Sequence, residues 1–204
     1  MRRCKKSLRN LIIEECLKRG DFTLSSGGKS DYLIDLRQIS MSSTGAYLIG
    51  KTIYNYTKNM EFDAIGGPAM GAIPLVTATV YRYWRRERRV KEGFWTRSGQ
   101  VIEGRVIRTH KVLVIEDVCT TGASVERTVL ALQDLVGCKI VGVIALVDRE
   151  EGARERFQEM GIMFDSIFKA KDLLDRATNG THWIADSAVT EDFKDGEKEN
   201  EESK

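Results

Sequence analysis

Two stretches limit the folding options of this chain more than any others. KVLVIED (Lys111–Asp117) and KIVGVIALVD (Lys139–Asp148) are almost unbroken runs of Val, Ile, Leu and Ala. A strand with one face in water alternates apolar and polar residues, and these do not, so both of their faces must be covered. Helical spacing between them predicts a helix over Ala123–Val136. A second helix over Glu151–Met160, a third strand IMFDSIF (Ile162–Phe168) and a short helix over Lys169–Arg176 follow. Strands separated by helices predict an α/β domain, with a mainly parallel central sheet and helices on both faces.

The first half is less regular. Leu8, Leu11, Ile12, Cys16 and Leu17 fall near helical spacing, which predicts a helix from Lys5 to Arg19, ended by Gly20 in the role glycine takes after a last turn. FTLSSGGKSDYLIDLR (Phe22–Arg37) reads as β-like, broken by a turn at Gly27–Gly28. A helix over Thr44–Thr57, a short strand FDAIGG and a helix over Gly71–Trp84 follow, with Pro74 in the first turn, where it is tolerated. The expected organisation is one domain over residues 1–178 with an N-terminal helix-and-strand hood. A polar, acidic segment follows over 179–204 and is expected to be disordered.

Composition excludes several classes. No apolar run approaches the ~20 residues a membrane span needs. The basic N-terminal stretch lacks a continuous apolar signal core, so the expected location is the cytoplasm. Cys4, Cys16, Cys119 and Cys138 form no CxxC pair and read as free thiols, and two histidines argue against a His-based metal site.

The chemistry is concentrated in VLVIEDVCTTGAS (Val112–Ser124). An apolar strand ends in Glu116 and Asp117, and a short loop leads into a helix. Ligands of open α/β sheets bind outside the carboxyl ends of the strands, where this loop must lie. Free N–H groups at the helix start, with the hydroxyls of Thr120, Thr121 and Ser124, suit a phosphate, and Gly122 lets the backbone approach it. Two acids beside a phosphate cradle need another contact, such as ribose hydroxyls or a Mg²⁺ held mainly by the ligand. The pattern suggests a phosphorylated sugar.

This segment resembles the phosphoribosyl diphosphate signature of type I phosphoribosyltransferases. Phe22–Arg37 resembles the N-terminal element of the orotate phosphoribosyltransferases, and GGPAMGAIPL (Gly66–Leu75) resembles their diphosphate loop. LVDREEG (Leu146–Gly152) is similar to their strand-end arginine segment. The resemblance runs from about Asp21 to Leu174. It implies the type I phosphoribosyltransferase fold and transfer of a phosphoribosyl group to orotate, giving orotidine 5′-monophosphate and diphosphate for pyrimidine biosynthesis. Glu116 and Asp117 would hold the ribose, and Val118, Cys119, Thr120, Thr121, Gly122, Ala123 and Ser124 the 5′-phosphate. Pro68, Ala69, Met70, Gly71 and Ala72 would hold the diphosphate, which would bring Mg²⁺ with it. Tyr32, Leu33, Thr120 and Arg149 would meet orotate, and a homodimer would share its active sites.

One part of the resemblance fails. The family carries a mobile basic loop, contributed by a neighbouring subunit, just before an Ile-Glu-Gly segment. Here the stretch reads GFWTRSGQVIEG (Gly93–Gly104), so the loop is shortened and Arg97 is its one remaining basic residue, a candidate catalytic cation. Two alternatives stay open: a phosphoribosyltransferase for another nucleobase, and a ligand-sensing regulator that binds RNA or DNA through Trp84 and the cluster Arg85, Arg86, Arg88, Arg89 and Lys91.

Overall fold

The computed structural model describes residues 2–23, 28–98 and 101–178. The acidic segment 179–204 and the Gly27 half of the expected Gly27–Gly28 turn lie outside the described residues.

Six strands form the central sheet in the order β5-β4-β3-β6-β7-β8. They are β3 (Ala64–Pro68), β4 (Glu92–Arg97), β5 (Val101–Gly104), β6 (Lys111–Cys119), β7 (Lys139–Asp148) and β8 (Phe164–Lys169). All neighbours run parallel except β4 and β5, which pair antiparallel at one edge. The long apolar runs of β6 and β7 sit in the middle, where both faces are covered. On one face α1 (Arg2–Glu15), α3 (Ser43–Thr57) and α4 (Ala72–Glu87) build a core with Leu8, Ile12, Leu48, Ile53 and Leu75. On the other, α5 (Ala123–Ala131) and α6 (Ala153–Glu159) bury Val125, Val129 and Phe157 against Val112, Val114 and Val143. The expected α/β sandwich is therefore the one observed.

The hood is a separate antiparallel pair, β1 (Leu17–Thr23) with β2 (Lys29–Ile34), followed by the single turn α2 (Arg37–Ser40). Here the structure corrects the sequence reading. The first helix stops at Glu15, and Leu17–Gly20 belongs to β1, with Leu17 paired to Ile34 and Arg19 to Tyr32. Gly20 lies inside that strand, not after a helix. Strand pairing in the hood outweighs the helical spacing of Cys16 and Leu17.

Three further differences are local. The helix expected over Ala123–Val136 is α-helical only to Ala131, and Leu132–Val136 is a π turn closed by Gly137 in the left-handed region. The sequence reading assigned no strands to Gly93–Gly104, which contains most of β4 and β5. Phe94 and Thr96 point inward from β4, and the Thr96 hydroxyl meets that of Thr128 on α5 at 2.5 Å. The third is α7 (Ala170–Thr178), which continues beyond Arg176.

Strand order positions the site. From β3 the chain moves outward to β4 and β5, while from β6 it moves the other way to β7 and β8. The order reverses between β3 and β6, and a ligand crevice opens outside their carboxyl ends at such a point. The loops after these two strands are Ala69–Gly71 and Thr120–Gly122.

Candidate active site

Two cavities meet at the end of β6. The smaller, about 270 Å³, is lined by Glu116, Val118–Ser124 and Arg127. The larger, about 480 Å³, is lined from the hood by Thr23, Leu33, Ile34, Asp35 and Arg37, and from the sheet by Met70, Gly71, Asp117, Val118, Thr120 and Arg149. Val118 and Thr120 border both.

The smaller cavity has the hydroxyl-bearing residues Thr120, Thr121 and Ser124 around the start of α5. Gly122 adopts φ +78°, a conformation other residues rarely take. The structure adds a second reason for glycine, because a Cβ here would meet Phe157 Cε2 at 2.9 Å and Ala153 on α6. The turn and the packing of α6 each call for glycine at this position. The loop is fastened from the same helix: Arg156 Nε donates to the Thr121 carbonyl at 2.7 Å, and its Nη1 pairs with Glu126 in the first turn of α5. Arg127 Nη2 reaches Ser124 Oγ at 3.4 Å. Cys119 lines the floor and is buried, and burial, with nearby Glu116, pushes its thiol up to about 12. It is a neutral, buried group in the wall of the cavity.

The two acids differ sharply. Glu116 is buried, and its Oε1 accepts from the Asp117 N–H at 3.2 Å. Burial first, and then the Asp117 charge, hold its carboxyl well above the usual carboxylate range. Asp117 lies on the wall of the larger cavity, pressed against the backbone of Gly71 so closely that a Cβ there would overlap its carboxyl group.

Of the segment Pro68–Ala72, Met70 and Gly71 line the cavity, after a cis peptide between Ala69 and Met70. Pro68 ends β3 and Ala72 is buried at the start of α4. The upstream glycines serve the sheet instead. A Cβ on Gly66 would overlap Phe94, and one on Gly67 would overlap the Ile115 carbonyl.

Arg149 closes the far end of the larger cavity. Its backbone N–H donates to the Cys119 carbonyl at 2.9 Å, while Asp148 Oδ1 accepts from the Glu150 N–H at 2.8 Å and tightens the turn. Its side chain is only 3% exposed. Nε donates to Glu151 Oε1 and Nη2 to Ser30 Oγ, both at 2.8 Å, and the guanidinium lies over the Tyr32 ring. Tyr32 therefore supports the arginine, and its neighbour Leu33 lines the space.

Arg97 stands apart. It ends β4, is 67% exposed, pairs with Glu103 at 3.4 Å and lines neither cavity. The expected basic patch is also smaller than its sequence implies. Lys91 is buried, donates to the Phe62 carbonyl and lies over the Phe62 and Tyr83 rings, while Arg89 pairs with Glu87 and Arg88 stacks on Trp84. Five cations in seven residues do not make five free cations.

The sequence reading missed Arg37, Arg127 and Arg156. Arg127 and Arg156 stand at helical spacing from loop residues or across a helix pair, and single arginines in such places carry no motif. Arg37 was readable only as the end of the β-like segment.

The phosphoribosyl transferase domain family matches residues 44–172. The orotate phosphoribosyltransferase of Pyrococcus horikoshii is 37% identical over 181 residues, covering 85% of this chain and 95% of that one. The enzyme of that name from Aquifex aeolicus is 38% identical over 180 residues, covering 83% and 97%. Among solved structures, the Mycobacterium tuberculosis orotate phosphoribosyltransferase in complex with inorganic phosphate superposes with a TM-score of 0.73 at 33% identity, covering 83% of this chain and 98% of that one. Its complex with 5-phospho-α-D-ribosyl 1-diphosphate gives 0.71 at 32%, with the same coverage. Likeness over nearly the whole length of such relatives, in sequence and in fold, places this chain in the phosphoribosyl transferase family, among the orotate phosphoribosyltransferases.

Proposed function

We propose that this protein transfers the phosphoribosyl group of phosphoribosyl diphosphate to orotate, releasing diphosphate and forming orotidine 5′-monophosphate. One observation carries the reading. A hydroxyl-lined cavity at the start of α5 and an arginine-walled cavity meet at Val118 and Thr120, with Glu116 on one side and Asp117 on the other. A ligand that spans them has a phosphate at one end, hydroxyls in the middle and a flat anion at the other, which is the layout of a nucleotide with a carboxylated base.

On this reading the loop Val118–Ser124 holds the 5′-phosphate with N–H groups and hydroxyls. Asp117 and Glu116 hold the ribose hydroxyls. The neutral tendency of Glu116 suits it to share a proton with a hydroxyl, while Asp117 favours positive charge developing at the ribose carbon. The backbone of Pro68–Ala72 holds the diphosphate, and Arg149 and Thr120, with the chain at Tyr32–Leu33, hold orotate. The carbon–oxygen bond to diphosphate breaks with its electron pair leaving on the diphosphate. A ring nitrogen of orotate supplies the pair for the new carbon–nitrogen bond, and its proton passes to the departing diphosphate or to water. Positioning and charge complementarity carry such a step without a covalent nucleophile.

Two adjacent carboxylates, with no group of three or more His, Cys, Asp or Glu suited to a metal among the described residues, fit a Mg²⁺ that takes most of its ligands from the diphosphate and water. Its chemistry there is to neutralise charge on the leaving group. The reading also includes a cytoplasmic homodimer acting in UMP biosynthesis, with Arg97 offered from one subunit to the next. The burial of Lys91 and the pairing of Arg89 weigh against the nucleic-acid regulator.

The test is turnover with phosphoribosyl diphosphate and Mg²⁺ across a panel of nucleobases, read as diphosphate release. Orotate should be used. Turnover with another base alone would move the assignment to that base, and none with any base would end the enzymatic reading.

A further inference from the structure

We propose that Arg37 supplies, from within the same chain as Asp117, the cation that meets the diphosphate end of phosphoribosyl diphosphate; this rests on the function proposed above. Arg37 opens α2 on the hood side of the larger cavity, whose sheet side includes Met70, Gly71 and Asp117. Asp35 orients it at two points, as Oδ1 accepts from its backbone N–H at 3.2 Å and from its Nε at 2.7 Å. The other oxygen of Asp35 is held by Gln38 Nε2 at 3.0 Å, so the carboxylate is fixed as well. Among the described residues the guanidinium has no further hydrogen-bond partner, and it is 71% exposed. Its two terminal nitrogens form a fork suited to phosphate oxygens.

The need for a cation follows from the opposite wall. Gly71 lines the cavity, and the carboxylate of Asp117 is packed directly against it. A diphosphate seated there lies beside a like charge, and the repulsion must be offset. The other arginines around the site are committed elsewhere. Arg149 is held by Glu151, Ser30 and Tyr32, Arg127 lines the smaller cavity, and Arg97 pairs with Glu103 and lines neither. Arg37 alone among the described cations shares a cavity with both Gly71 and Asp117 while keeping terminal nitrogens free of protein partners.

The experiment compares Arg37→Ala and Arg37→Lys with the parent protein. Calorimetric titration with Mg²⁺-diphosphate and steady-state kinetics are measured on each, with melting temperature as the folding control. Arg37→Ala should weaken diphosphate binding and lower kcat/KM for phosphoribosyl diphosphate by about tenfold or more, as expected for a lost charge-assisted hydrogen bond, and Arg37→Lys should recover part of this. The KM for orotate should hardly move. Mixing Arg37→Ala with Asp117→Asn subunits should restore nothing, because no mixed dimer joins an intact Arg37 to an intact Asp117 in one chain. Unchanged diphosphate affinity in a folded Arg37→Ala protein overturns the assignment, and so does rescue on mixing. If the parent protein fails to use orotate, the diphosphate titration still decides the role of Arg37, and only the proposed reaction falls.

Discussion

The Arg149 guanidinium lies 4.1 Å from the centre of the Tyr32 ring, so a strand of the hood forms the platform under an arginine from the sheet. Among the described residues the hood and the six-stranded sheet share no strand pairing, and this contact, with the Ser30 hydrogen bond, ties them at the cavity.

Arg149→Lys keeps the charge but loses the fork and its two fixed hydrogen bonds. The KM for orotate should rise by about 10–100-fold, the range expected for hydrogen bonds to a charged group, while that for phosphoribosyl diphosphate stays within a few-fold. Tyr32→Leu removes only the platform and should raise the orotate KM less, on the order of tenfold or below. Equal shifts in both KM values for Arg149→Lys would mean a general disturbance and not base recognition.

Glu116→Gln should separate stability from activity. The folded-state pKa of Glu116 lies above its unfolded value, so the folded protein holds an extra proton between the two. Stability therefore falls as pH rises from about 4.5 through the folded value, and above it each tenfold difference in proton affinity between the two states costs about 1.4 kcal/mol. Glutamine stays neutral throughout. The variant should melt higher than the parent at pH 7–8, by a few degrees, and the gap should close toward pH 4. Turnover should fall at the same time. A gap that does not depend on pH would contradict the burial argument, and full turnover would contradict a ribose role.

Gly122→Val tests why glycine is there. A β-branched residue at φ +78°, with its Cβ directed at Phe157, combines backbone strain with overpacking. The expected cost is about 3 kcal/mol or more, a fall in melting temperature on the order of 6–12 °C. Gly122→Ala should lose less. A valine protein as stable as the parent, binding phosphate poorly, would restore the simpler view that the glycine only makes room for the anion.

Arg156 reaches the loop through its backbone, where it holds the Thr121 carbonyl and so sets the loop's shape. Arg156→Ala should raise the KM for phosphoribosyl diphosphate by roughly tenfold with a smaller change in kcat, in line with loss of a charge-assisted hydrogen bond. Glu126→Gln, which leaves the carbonyl contact in place, should do the same more weakly. If only melting temperature moves, the arginine is a brace between α5 and α6 and nothing more.

How much of this was legible follows from the reach of each interaction. The sheet centre was readable because burial on both faces writes itself into every position of β6 and β7. The candidate loop after β6 was readable because strand end, acids, hydroxyls and glycine are contiguous. The edge hairpin was not, since β4 is short, mixed in polarity and aligned with a segment expected to be a loop. Arg37, Arg127 and Arg156 owe their places to contacts across elements, which no local pattern records. Lys91 shows the opposite error, a cation that looks exposed in a basic run and is buried against two aromatic rings.

Arg97 poses the last question, because its position is incompatible with acting on its own chain's cavities as they stand. It lies at the end of β4, one strand in from the sheet edge, paired to Glu103 across the hairpin, and borders neither cavity. If it serves catalysis, it does so in the neighbouring subunit of a symmetric dimer. Arg97→Ala should then lower kcat and kcat/KM together, as for an interaction made only in the transition state. Mixing it in equal amounts with Asp117→Asn makes half of the dimers hybrids, and each hybrid has one site with intact Asp117 from one chain and intact Arg97 from the other. Activity should recover to about a quarter of the parent value, since one site in four is whole. Arg37→Ala, mixed the same way, should recover none. Recovery absent for Arg97 while the subunits demonstrably exchange would confine that arginine to its pair with Glu103 and leave the chemistry to residues of a single chain.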